Sequence, residues 1–510
     1  MDNDKFLWYN CMDTTCTFEV RNAFWDDFLA TDNMFAYNNT IGIYDSLIYM
    51  MTRGLKVDYV ALEQTRRQVV IDRDQFQSQL NELCGYELNV NSPKQCQQYF
   101  YITKNIKPYT NHKTGNITTD DKSMQRIARG VAGRPGLREA SLVQEIRGLQ
   151  KLLGTYLDVE FDSDGRFRCS YNPRGTETGR LSSSKTIYGT GTNQQNLPPE
   201  FKQFIISDDD CFFLELDKRQ AEWVVVAYLS QDANMLDVVY NGRDPHTHTA
   251  HLMFGVDPDL IKRESKLIGN SADSEFIAEQ RLTIPELALA KFLPRTMSIR
   301  QCGKKSNHGL NYDEGYSTFS LLNEIEIPEA KRIIDLYHTI YPNIRQIWYK
   351  KIQADMMLNR TITNCFGRKF RYLDAITNDL FKSAYAFQPQ STVVDGLNIG
   401  MQEIYHDKSI ELADAEMLAQ VHDSILLQFP RSALPNIKSI LSKLDAHVSP
   451  DMTYHGRTFK IATDFKIGLN WGSYHPERNP MGMHEFSAAE TNEDSYKKAL
   501  EILNGRADIK

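Results

Sequence analysis

The 510-residue sequence lacks the features of membrane-spanning, secreted and zinc-binding proteins. Its apolar runs stay far below the ~18 residues that a membrane-spanning helix needs. The N-terminal MDNDKFLWYN is acidic, whereas a secretory signal would be basic and then apolar. The eight cysteines include no C-x-x-C pair, so the sequence predicts neither a zinc site nor a disulfide framework. We therefore expect a soluble, cytoplasmic protein with reduced thiols and no membrane partner.

An excess of positive charge is also missing, and the formal net charge is −8. This balance argues against indiscriminate DNA binding, because phosphate contacts come from clustered Lys and Arg. Residues 101–151 are a local exception, with ten Lys or Arg against four Asp or Glu, a local charge of +6. That segment is either a surface that grips a phosphate backbone or an ordinary charged helical surface. The chain length predicts about three or four domains.

Two apolar runs each deliver a carboxylate. Residues 211–216 predict a strand that Asp217 follows, and residues 417–427 predict a second strand with a bend at His422 and Asp423. Acidic oxygens that converge from two strands suit two Mg²⁺ ions, held roughly 3.5–4 Å apart, for phosphoryl transfer. Asp217 and Asp423 are therefore the candidate metal ligands. Taken alone, an Asp at a strand end is more often a turn or capping residue.

A basic helix is predicted between these two runs. Residues 291–305 contain five cations and no acid. Four residues recur at every fourth position, which on an α-helix places them along one face: Arg300, Lys304, His308 and Tyr312. Such a stripe suits a triphosphate at its cationic end and a base or sugar at the other. By itself, a basic helix face is more often just solvated.

The motifs at these positions can be read together. The sequence has D-x-x-Q-x-E at Asp217, Gln220 and Glu222, then R-x-x-x-K-x-x-x-H-x-x-x-Y from Arg300, and V-H-D ending at Asp423. These patterns closely resemble the three polymerase motifs of family A DNA polymerases, the bacterial DNA polymerase I type. Further matches follow in that family's order: NVNSPKQ at 89–95, TETGRLSSS at 176–184, NQQNLP at 193–198, DPH at 244–246 and GLNW at 468–471. The resemblance spans about residues 40 to 475.

The resemblance implies an α+β, multidomain right-hand polymerase fold, with a thumb, a palm containing an antiparallel sheet, and helical fingers. The pattern from Asp217 to Glu222 corresponds to motif A, the pattern from Arg300 to Tyr312 to motif B, and V-H-D to motif C. The implied division is an exonuclease remnant at 1–36, the thumb at 37–160, the palm at 161–236 with motif A, the fingers at 237–372 with motif B, the palm again at 373–475 with motif C, and a tail at 476–510.

Local patterns add detail to this division. Helices are predicted at residues 43–53, 59–84 and 137–157, and the alternating residues 166–171 predict the start of the palm sheet. The length of residues 263–294 within the fingers has no explanation in the sequence. The mixed charge of residues 476–510 predicts a short exposed helix or disorder.

The resemblance also implies roles for the aligned residues. Asp217 and Asp423 would bind two Mg²⁺ ions, for which Mn²⁺ can substitute. Arg300 and Lys304 would hold the incoming triphosphate, and Lys304 would act as the general acid toward pyrophosphate. Glu222 would block the 2′ side of the ribose and so favour dNTPs. The other nucleotide contacts would come from Gln220, His246, His308 and Tyr312.

Contacts with primer-template DNA are implied for seven residues: Arg180, Asn193, Gln195, Asn196, Lys382, Gln390 and His422. Minor-groove acceptors are common to every correct base pair, so Arg and Gln there can test pair geometry without reading sequence. This property suits an enzyme that copies any template.

Several positions depart from the family pattern. Ser424 stands where DNA polymerases usually have Glu, and a Ser there is more typical of single-subunit RNA polymerases. His308 replaces the usual Phe or Tyr, which puts dideoxynucleotide discrimination in doubt. Lys382 and Ala386 stand where Arg and Asn are common, which puts fidelity in doubt but leaves the chemistry intact.

The N-terminal segment resembles the last motif of a 3′–5′ exonuclease. Tyr9 and Asp13 match that motif, whereas the other exonuclease carboxylates have no counterpart in this sequence. The sequence therefore predicts no proofreading by this chain alone, and either a truncated parent or an exonuclease supplied by a separate polypeptide.

Three functions stay open at this stage. The leading one is a DNA-templated DNA polymerase encoded by a bacteriophage and acting in the host cytoplasm, with primer-template DNA and dNTPs as partners. A separate exonuclease, a processivity factor or a helicase are further candidate partners. A single-subunit RNA polymerase is supported by Ser424 and opposed by Glu222. A catalytically silent primer-template-binding subunit is opposed by the intact set of Asp217, Asp423, Arg300 and Lys304.

Overall fold

The computed structural model describes residues 3–504 apart from 112–113, 132–133, 270, 272–273, 291–292 and 324. Lys291 of the predicted basic stretch and the last six residues of the predicted tail lie outside the described residues. Within these ranges, no helix combines the length and apolar character needed to cross a membrane.

The first third of the chain is mainly helical. Its elements are α1 (Asn3–Ala30), α2 (Met34–Gly42), α3 (Tyr44–Arg53), β1 (Leu55–Val57), α4 (Tyr59–Cys84), α5 (Pro93–Gln97), β2 (Tyr109–Thr110), β3 (Ile117–Thr118), α6 (Asp121–Arg129), β4 (Gly130–Val131), β5 (Arg134–Pro135) and α7 (Arg138–Leu152). A π-helical turn at Leu153–Leu157 prolongs α7. The three helices predicted in this region are confirmed.

The bounds of α4 have a local cause. The Asp58 carboxylate accepts hydrogen bonds from the backbone N–H groups of Val60 and Ala61, which caps the first turn. Gly85 ends the helix with a φ of 77°, a left-handed conformation that glycine adopts without a Cβ penalty. Helices α4 and α7 then pack together around buried residues that include Leu80, Phe100 and Val143.

The next region carries short strands and one long strand. Its elements are β6 (Arg166–Phe167), β7 (Ser170–Asn172), β8 (Ser182–Ser184), α8 (Pro199–Lys202), β9 (Ile205–Ile206), β10 (Cys211–Lys218), α9 (Ala221–Ser230) and α10 (Ala233–Tyr240). The prediction that residues 166–171 start the main sheet is wrong. They form two strands, of which β6 pairs with β1 and β7 pairs with β8.

The third region is almost wholly helical. Its elements are α11 (Pro245–Phe254), α12 (Pro258–Ile268), α13 (Ser274–Leu282), α14 (Ile299–Leu310), α15 (Tyr316–Leu322), α16 (Ile327–Ile340), α17 (Lys350–Leu358), β11 (Thr361–Thr363) and β12 (Lys369–Arg371). The predicted basic helix is α14, but it ends at Leu310. Tyr312 therefore lies in the turn that follows the helix rather than on its face.

The segment of unexplained length, residues 263–294, supports α14. Its helices pack around a small core that includes Ile261, Ile284 and Ile299. The buried Glu264 accepts a hydrogen bond from the Ile299 backbone N–H at 3.0 Å and pairs with Arg281 at 2.7 Å. A carboxylate at the first turn of a helix satisfies free N–H groups and complements the helix dipole. The segment thus fixes the N-terminal end of α14.

The last region completes the main sheet. Its elements are α18 (Asn378–His406), β13 (Glu416–Val421), β14 (Ser424–Pro430), α19 (Ile437–Val448), β15 (Met452–Tyr454), β16 (Arg457–Phe459), β17 (Thr463–Gly468), β18 (His484–Phe486) and α20 (Asn492–Leu503). The main sheet has the order β13-β14-β10-β17-β18, and every pair is antiparallel. Leu214 and Leu216 of β10 pack in the core that also contains residues of α18, α19 and α20.

Of the two alternatives predicted for residues 476–510, a short helix is confirmed in the described part by α20, but this helix is not wholly exposed. Strand β18 forms the edge of the main sheet by pairing with β17. In α20, Ala499, Ile502 and Leu503 are buried in the same core as β10. The charged residues of α20 lie on its outer face, because its apolar residues recur at helical spacing and face the sheet.

The N-terminal helix is an exception to this packing. None of the residues of α1 is buried, and aromatic side chains such as Trp8 and Phe24 are largely exposed. Tyr9 and Asp13, the predicted exonuclease residues, lie on this exposed helix. The chain joins the main body just after it, where Asn33 exchanges hydrogen bonds with the Lys369 backbone.

Candidate active site

The two predicted carboxylates come together on the main sheet. Asp217 lies within β10, one residue before its end, and pairs in register with Ser424 of β14. Asp423 occupies the turn between β13 and β14, and its backbone carbonyl accepts a hydrogen bond from the Lys218 N–H at 3.1 Å. His422 in the same turn has a φ of 57°. The tight turn therefore holds Asp423 beside Asp217.

The β13–β14 turn is fixed from one side by Gln195. The Gln195 side-chain amide donates to the Gln420 carbonyl at 2.6 Å, and its oxygen accepts from the His422 N–H at 3.2 Å. Gln195 itself is buried. This predicted DNA contact thus has its amide engaged by the protein, and its structural effect is to orient the turn that carries Asp423.

Burial and repulsion between acids shape the electrostatics of the pair. Burial, followed by the charge of Asp423, raises the pKa of Asp217. Burial, followed by the charge of Glu222, raises the pKa of Asp423. Two half-buried carboxylates whose pKa values are both raised by burial and by neighbouring acids are a donor set that a bound divalent cation would stabilise. The described part of the chain holds no cluster of three or more His, Cys, Asp or Glu side chains arranged for a metal ion.

A third carboxylate beside the pair was missed in the sequence. Asp464 of β17 is directly opposite Asp217, so both side chains lie on the same face of the sheet. Arg219 Nε donates to both Asp464 oxygens, at 2.9 and 3.1 Å. The charge of Asp464 is one of the influences that raise the pKa of Asp217. Only strand register reveals this neighbour, because 247 residues separate it from Asp217 in the chain.

Cations also line this face of the sheet. Lys466 of β17 lies opposite Glu215 and its ammonium contacts the Glu215 carboxylate at 3.2 Å. The Trp471 indole N–H donates to the other Glu215 oxygen at 2.9 Å. Burial opposes a raised pKa for Lys466, but Glu215 and Asp217 together raise it. The positive charge of Lys466 thus offsets part of the negative charge around Asp217.

Helix α14 supplies the predicted phosphate contacts. Arg300 forms a two-point ion pair with Asp244, with Nε to Oδ2 at 2.8 Å and Nη2 to Oδ1 at 3.2 Å. Gln220 also donates to Asp244, at 3.0 Å. Burial acts to raise the pKa of Asp244, but the hydrogen bonds from Arg300 and Thr247 hold it at about 2. Lys304 is exposed and forms no ion pair or hydrogen bond with the residues that the structure describes.

Helix α14 lies unusually close to α11, which carries His246. A Cβ on Gly303 would lie 2.3 Å from the His246 backbone oxygen and 3.0 Å from the Ala250 Cβ. The close approach brings the Asn307 amide within 3.1 Å of His246 Nδ1. Burial lowers the pKa of His246 to about 4, so its ring is neutral near pH 7. Since the amide donates to Nδ1, the ring proton belongs on Nε2.

His308 occupies the next turn along the exposed face of α14. Its ring centroid is 5.8 Å from that of His246. Desolvation and then Lys304 lower the pKa of His308, while the charges of Glu222 and Asp423 act in the opposite direction. Because the charges of Glu222 and Asp423 both act on His308, the middle of α14 lies close to the segments that carry these two carboxylates.

Glu222 joins two of the other predicted residues, Arg180 and Tyr312. Its two oxygens accept separate hydrogen bonds, one from the Arg180 guanidinium and one from the Tyr312 hydroxyl. Burial, followed by Glu222, raises the pKa of Tyr312 well above its usual range, so the phenol stays protonated and donates. These contacts exclude a freely solvated surface carboxylate at Glu222. Glu222 is held from both sides in one orientation.

The remaining residues predicted to contact DNA differ in their exposure and in their hydrogen bonds. Asn193 accepts a hydrogen bond from the Ser183 hydroxyl at 2.8 Å and caps the turn that begins there, whereas Asn196 is exposed. Gln390 is half-buried on α18. Lys382, earlier on α18, lies 3.7 Å from Asp379 in a solvent-exposed pair.

Comparison with known proteins places this geometry in a family. The family model described as DNA polymerase family A matches residues 60–268 and 289–473. DNA polymerase I, thermostable, from Thermus aquaticus is 26% identical over 449 residues, which cover 83% of this chain and 46% of the relative. DNA polymerase I from Helicobacter pylori (strain ATCC 700392 / 26695) is 24% identical over 414 residues, which cover 78% of this chain and 40% of the relative. The chain spans less than half the length of these curated relatives.

The fold has a counterpart among solved structures. The POL domain of Pol1 from M. smegmatis, in complex with DNA primer-template and dNTP, matches with a TM-score of 0.67 and 20% identity. The match covers 85% of this chain and 70% of that one. The architecture, with its five-stranded antiparallel sheet and surrounding helices, is thus that of a polymerase domain. Because the family model accounts for most of its length, this chain belongs to DNA polymerase family A.

Proposed function

We propose that this chain is a DNA-templated DNA polymerase that adds dNTPs to a primer 3′-OH and releases pyrophosphate. The observation that carries the proposal is that strand β10 and the β13–β14 turn hold Asp217 and Asp423 side by side, next to the basic face of α14. The M. smegmatis neighbour is described with primer-template DNA and dNTP, and we extend those ligands to this chain.

Divalent cations are part of the proposal. Asp217 and Asp423 would hold two Mg²⁺ ions, with Mn²⁺ able to substitute, because hard cations prefer carboxylate oxygens. When bound, such ions lower the pKa of the primer hydroxyl and neutralise charge on the leaving pyrophosphate. Asp464 would stay outside this set, because Arg219 engages both of its oxygens.

The chain's own residues orient the nucleotide. Lys304, which is exposed and unpaired among the described residues, would contact the triphosphate and donate a proton to the leaving oxygen. Arg300 would contact the same phosphates while Asp244 fixes the plane of its guanidinium. Neutral His246 would donate from Nε2 to a phosphate oxygen.

The sugar is selected at Glu222. Because Arg180 and Tyr312 hold both Glu222 oxygens, the carboxylate is unable to swing away from a ribose 2′-OH. A fixed group rejects an added hydroxyl by a steric clash and by leaving a polar group poorly solvated. The substrates we propose are therefore dNTPs.

The domains follow the same assignment. We assign residues 37–160 to the thumb, 161–236 and 373–475 to the palm, and 237–372 to the fingers. The compact packing of β18 and α20 on the main sheet supports placing the described part of residues 476–504 with the palm rather than in a separate tail. Residues 1–36 are assigned to an exonuclease-like remnant.

An RNA polymerase is the second candidate, and Ser424 is the residue that favours it. The Ser424 hydroxyl donates to the Val421 carbonyl at 3.0 Å, so it closes the β13–β14 turn instead of offering a third acidic ligand. A bacteriophage origin, the lack of proofreading, and a separate exonuclease, processivity factor or helicase as partners stay predictions.

Primer extension tests the proposal. A defined primer-template is incubated with Mg²⁺ and either dNTPs or NTPs, using a matched or a mismatched primer 3′ end. We expect extension with dNTPs alone and no trimming of the mismatch. Asp217→Asn and Asp423→Asn should each lose most turnover while primer-template affinity is retained. Extension with NTPs would favour the RNA polymerase, and normal turnover in either variant would refute the metal assignment.

A further inference from the structure

The loop of residues 185–192, here named the Ile-Tyr loop, presents two apolar side chains to solvent. Ile187 is 88% exposed and Tyr188 is 82% exposed, among the highest values for large apolar residues in the described chain. Isolated exposed apolar residues need no explanation, but two adjacent ones at the tip of an ordered loop are a candidate contact surface.

The Ile-Tyr loop is built to hold that tip in place. The Thr186 N–H donates to the Thr190 carbonyl at 2.9 Å, and the hydroxyl groups of the same two residues are 2.7 Å apart. The Thr190 hydroxyl also donates to Asp162 at 2.5 Å. The loop is therefore closed at its neck and tied to the neighbouring segment.

Gly191 brings the loop backbone against that segment. Its φ is 70°, and a Cβ there would lie 1.7 Å from the Arg168 backbone oxygen. The Gly191 N–H donates to the Glu160 carbonyl at 2.7 Å. At the tip, by contrast, nothing lies within 4 Å of a Cβ built on Gly189. The loop is thus anchored at its base and open at its tip.

The position of the loop identifies its partner. It follows strand β8, which leads from Arg180, and it returns to Asn193, whose oxygen accepts from Ser183 of β8. Both flanks therefore carry a residue, Arg180 or Asn193, for which the resemblance to family A polymerases implies a primer-template contact. Lys185 at the base of the loop is exposed and forms no ion pair with the described residues, so its ammonium is available for a phosphate.

We propose that the Ile-Tyr loop binds the product duplex, with Ile187 and Tyr188 contacting base or sugar surfaces in a groove and Lys185 contacting a phosphate. The inference rests on the proposed function. Aromatic side chains contact nucleobases independently of their sequence, and apolar side chains insert into grooves, so such a contact suits an enzyme that copies any template.

Chain length limits where the contact can fall. Ile187 is seven residues from Arg180, and an extended chain spans about 3.3 Å per residue, so the two are at most about 23 Å apart. A duplex rises about 3.4 Å per base pair. The tip therefore reaches no farther than about seven base pairs from the pair that Arg180 is predicted to contact.

The test uses hairpin primer-templates with stems of about 4 to 14 base pairs. Fluorescence anisotropy gives the affinity of wild type, the double variant Ile187→Ser/Tyr188→Ser, and Ile410→Ser as a control that is 82% exposed outside the loop. On stems of eight or more base pairs, the double variant should bind about tenfold or more weakly, as loss of the burial of one large apolar side chain predicts. On the shortest stems its deficit should shrink, while Ile410→Ser should match wild type throughout.

Salt dependence separates the apolar contact from the ionic one. The double variant should keep the wild-type slope of log affinity against log salt, whereas Lys185→Gln should reduce that slope by about one. Tyr188→Phe should retain wild-type affinity, which a loss of folding would not allow. Equal affinity of the double variant and wild type on long stems, or a deficit independent of stem length, would overturn the inference.

Extension assays on the same hairpins distinguish a failure of the loop contact from a failure of the proposed polymerase function. If wild type extends the hairpins but the loop variants bind them as wild type does, only the loop contact is refuted. If wild type neither binds nor extends them, the proposed function fails and the loop contact fails with it.

Discussion

Gly303 offers the sharpest test of how α14 is positioned. A Gly303→Ala substitution adds one methyl group where the His246 backbone oxygen is only 2.3 Å from the Cβ position. Cβ atoms essentially never approach another heavy atom closer than 3.0 Å, so α14 and α11 must separate by about 0.7 Å. The obstacle is backbone, which is unable to rotate away as a side chain could.

The change in unfolding free energy caused by Gly303→Ala is the sum of two opposed effects. Replacing Gly by Ala within a helix is worth about 1 kcal/mol in favour of the folded state. Overpacking of this kind costs about 1–3 kcal/mol, so the net change in unfolding free energy is a loss of about 0–2 kcal/mol. The effect on catalysis should be larger, because displacing phosphate-binding groups by about 1 Å costs roughly 100-fold in rate.

The control is Gly148→Ala in α7. Position 148 is also inside a helix, but nothing lies within 4 Å of its Cβ position. This variant should gain up to about 1 kcal/mol of stability and keep its activity. Urea denaturation and single-nucleotide incorporation give the two quantities. If Gly303→Ala were as active and as stable as Gly148→Ala, the close contact between α14 and α11 would play no part in placing the phosphate-binding residues.

Four further predictions concern other parts of the molecule. Glu222→Ala should lower the ratio of kcat/KM for a dNTP over that for the matching NTP by about 10- to 100-fold, as removal of a steric block predicts; an unchanged ratio in competition assays would contradict the sugar assignment. Asp244→Asn should raise the dNTP KM more than it lowers kcat, because Arg300 loses its charged partner. The pKa of Asp244 is lowered from 3.8 to about 2, so the ionised Asp244 stabilises the fold above pH ~3.8, and this stabilisation is lost as the pH falls through ~2. The difference in unfolding free energy between wild type and Asp244→Asn should therefore be constant from pH 8 to 4. A difference that grows below pH 4 would refute this. Ile502→Ala should cost about 2–4 kcal/mol in urea unfolding, whereas Ile410→Ala should cost almost nothing; equal values would show that α20 does not pack on the sheet.

The elements that sequence patterns predicted well are those with strong local signals. Helix α4 matches its predicted bounds, because an Asp cap and a terminal glycine define both ends. The strands on either side of Asp423 were also predicted, since long apolar runs flank a polar pair. These signals depend only on residues near one another in the chain.

The incorrect predictions concern segments whose conformation and packing depend on residues distant in the chain. Residues 166–171 alternate as a strand should, yet they divide between two small sheets because β1 and β8 are the available neighbours. The short helix predicted in the tail is present, but its burial was not predicted, because its charge is visible in the sequence whereas the apolar surface that covers α20 is not. Tyr312 keeps the four-residue spacing of α14 although the helix stops at Leu310.

The sequence by itself determined the family, the identity of the paired carboxylates and the basic helix, because these depend on residue types at fixed spacing. Tertiary structure alone decided which charges meet. It placed Asp464 opposite Asp217, joined Arg300 to Asp244, and locked Glu222 between Arg180 and Tyr312. Those partners are up to 247 residues apart, and strand register and helix packing, which no local pattern encodes, bring them within hydrogen-bonding or Coulombic range.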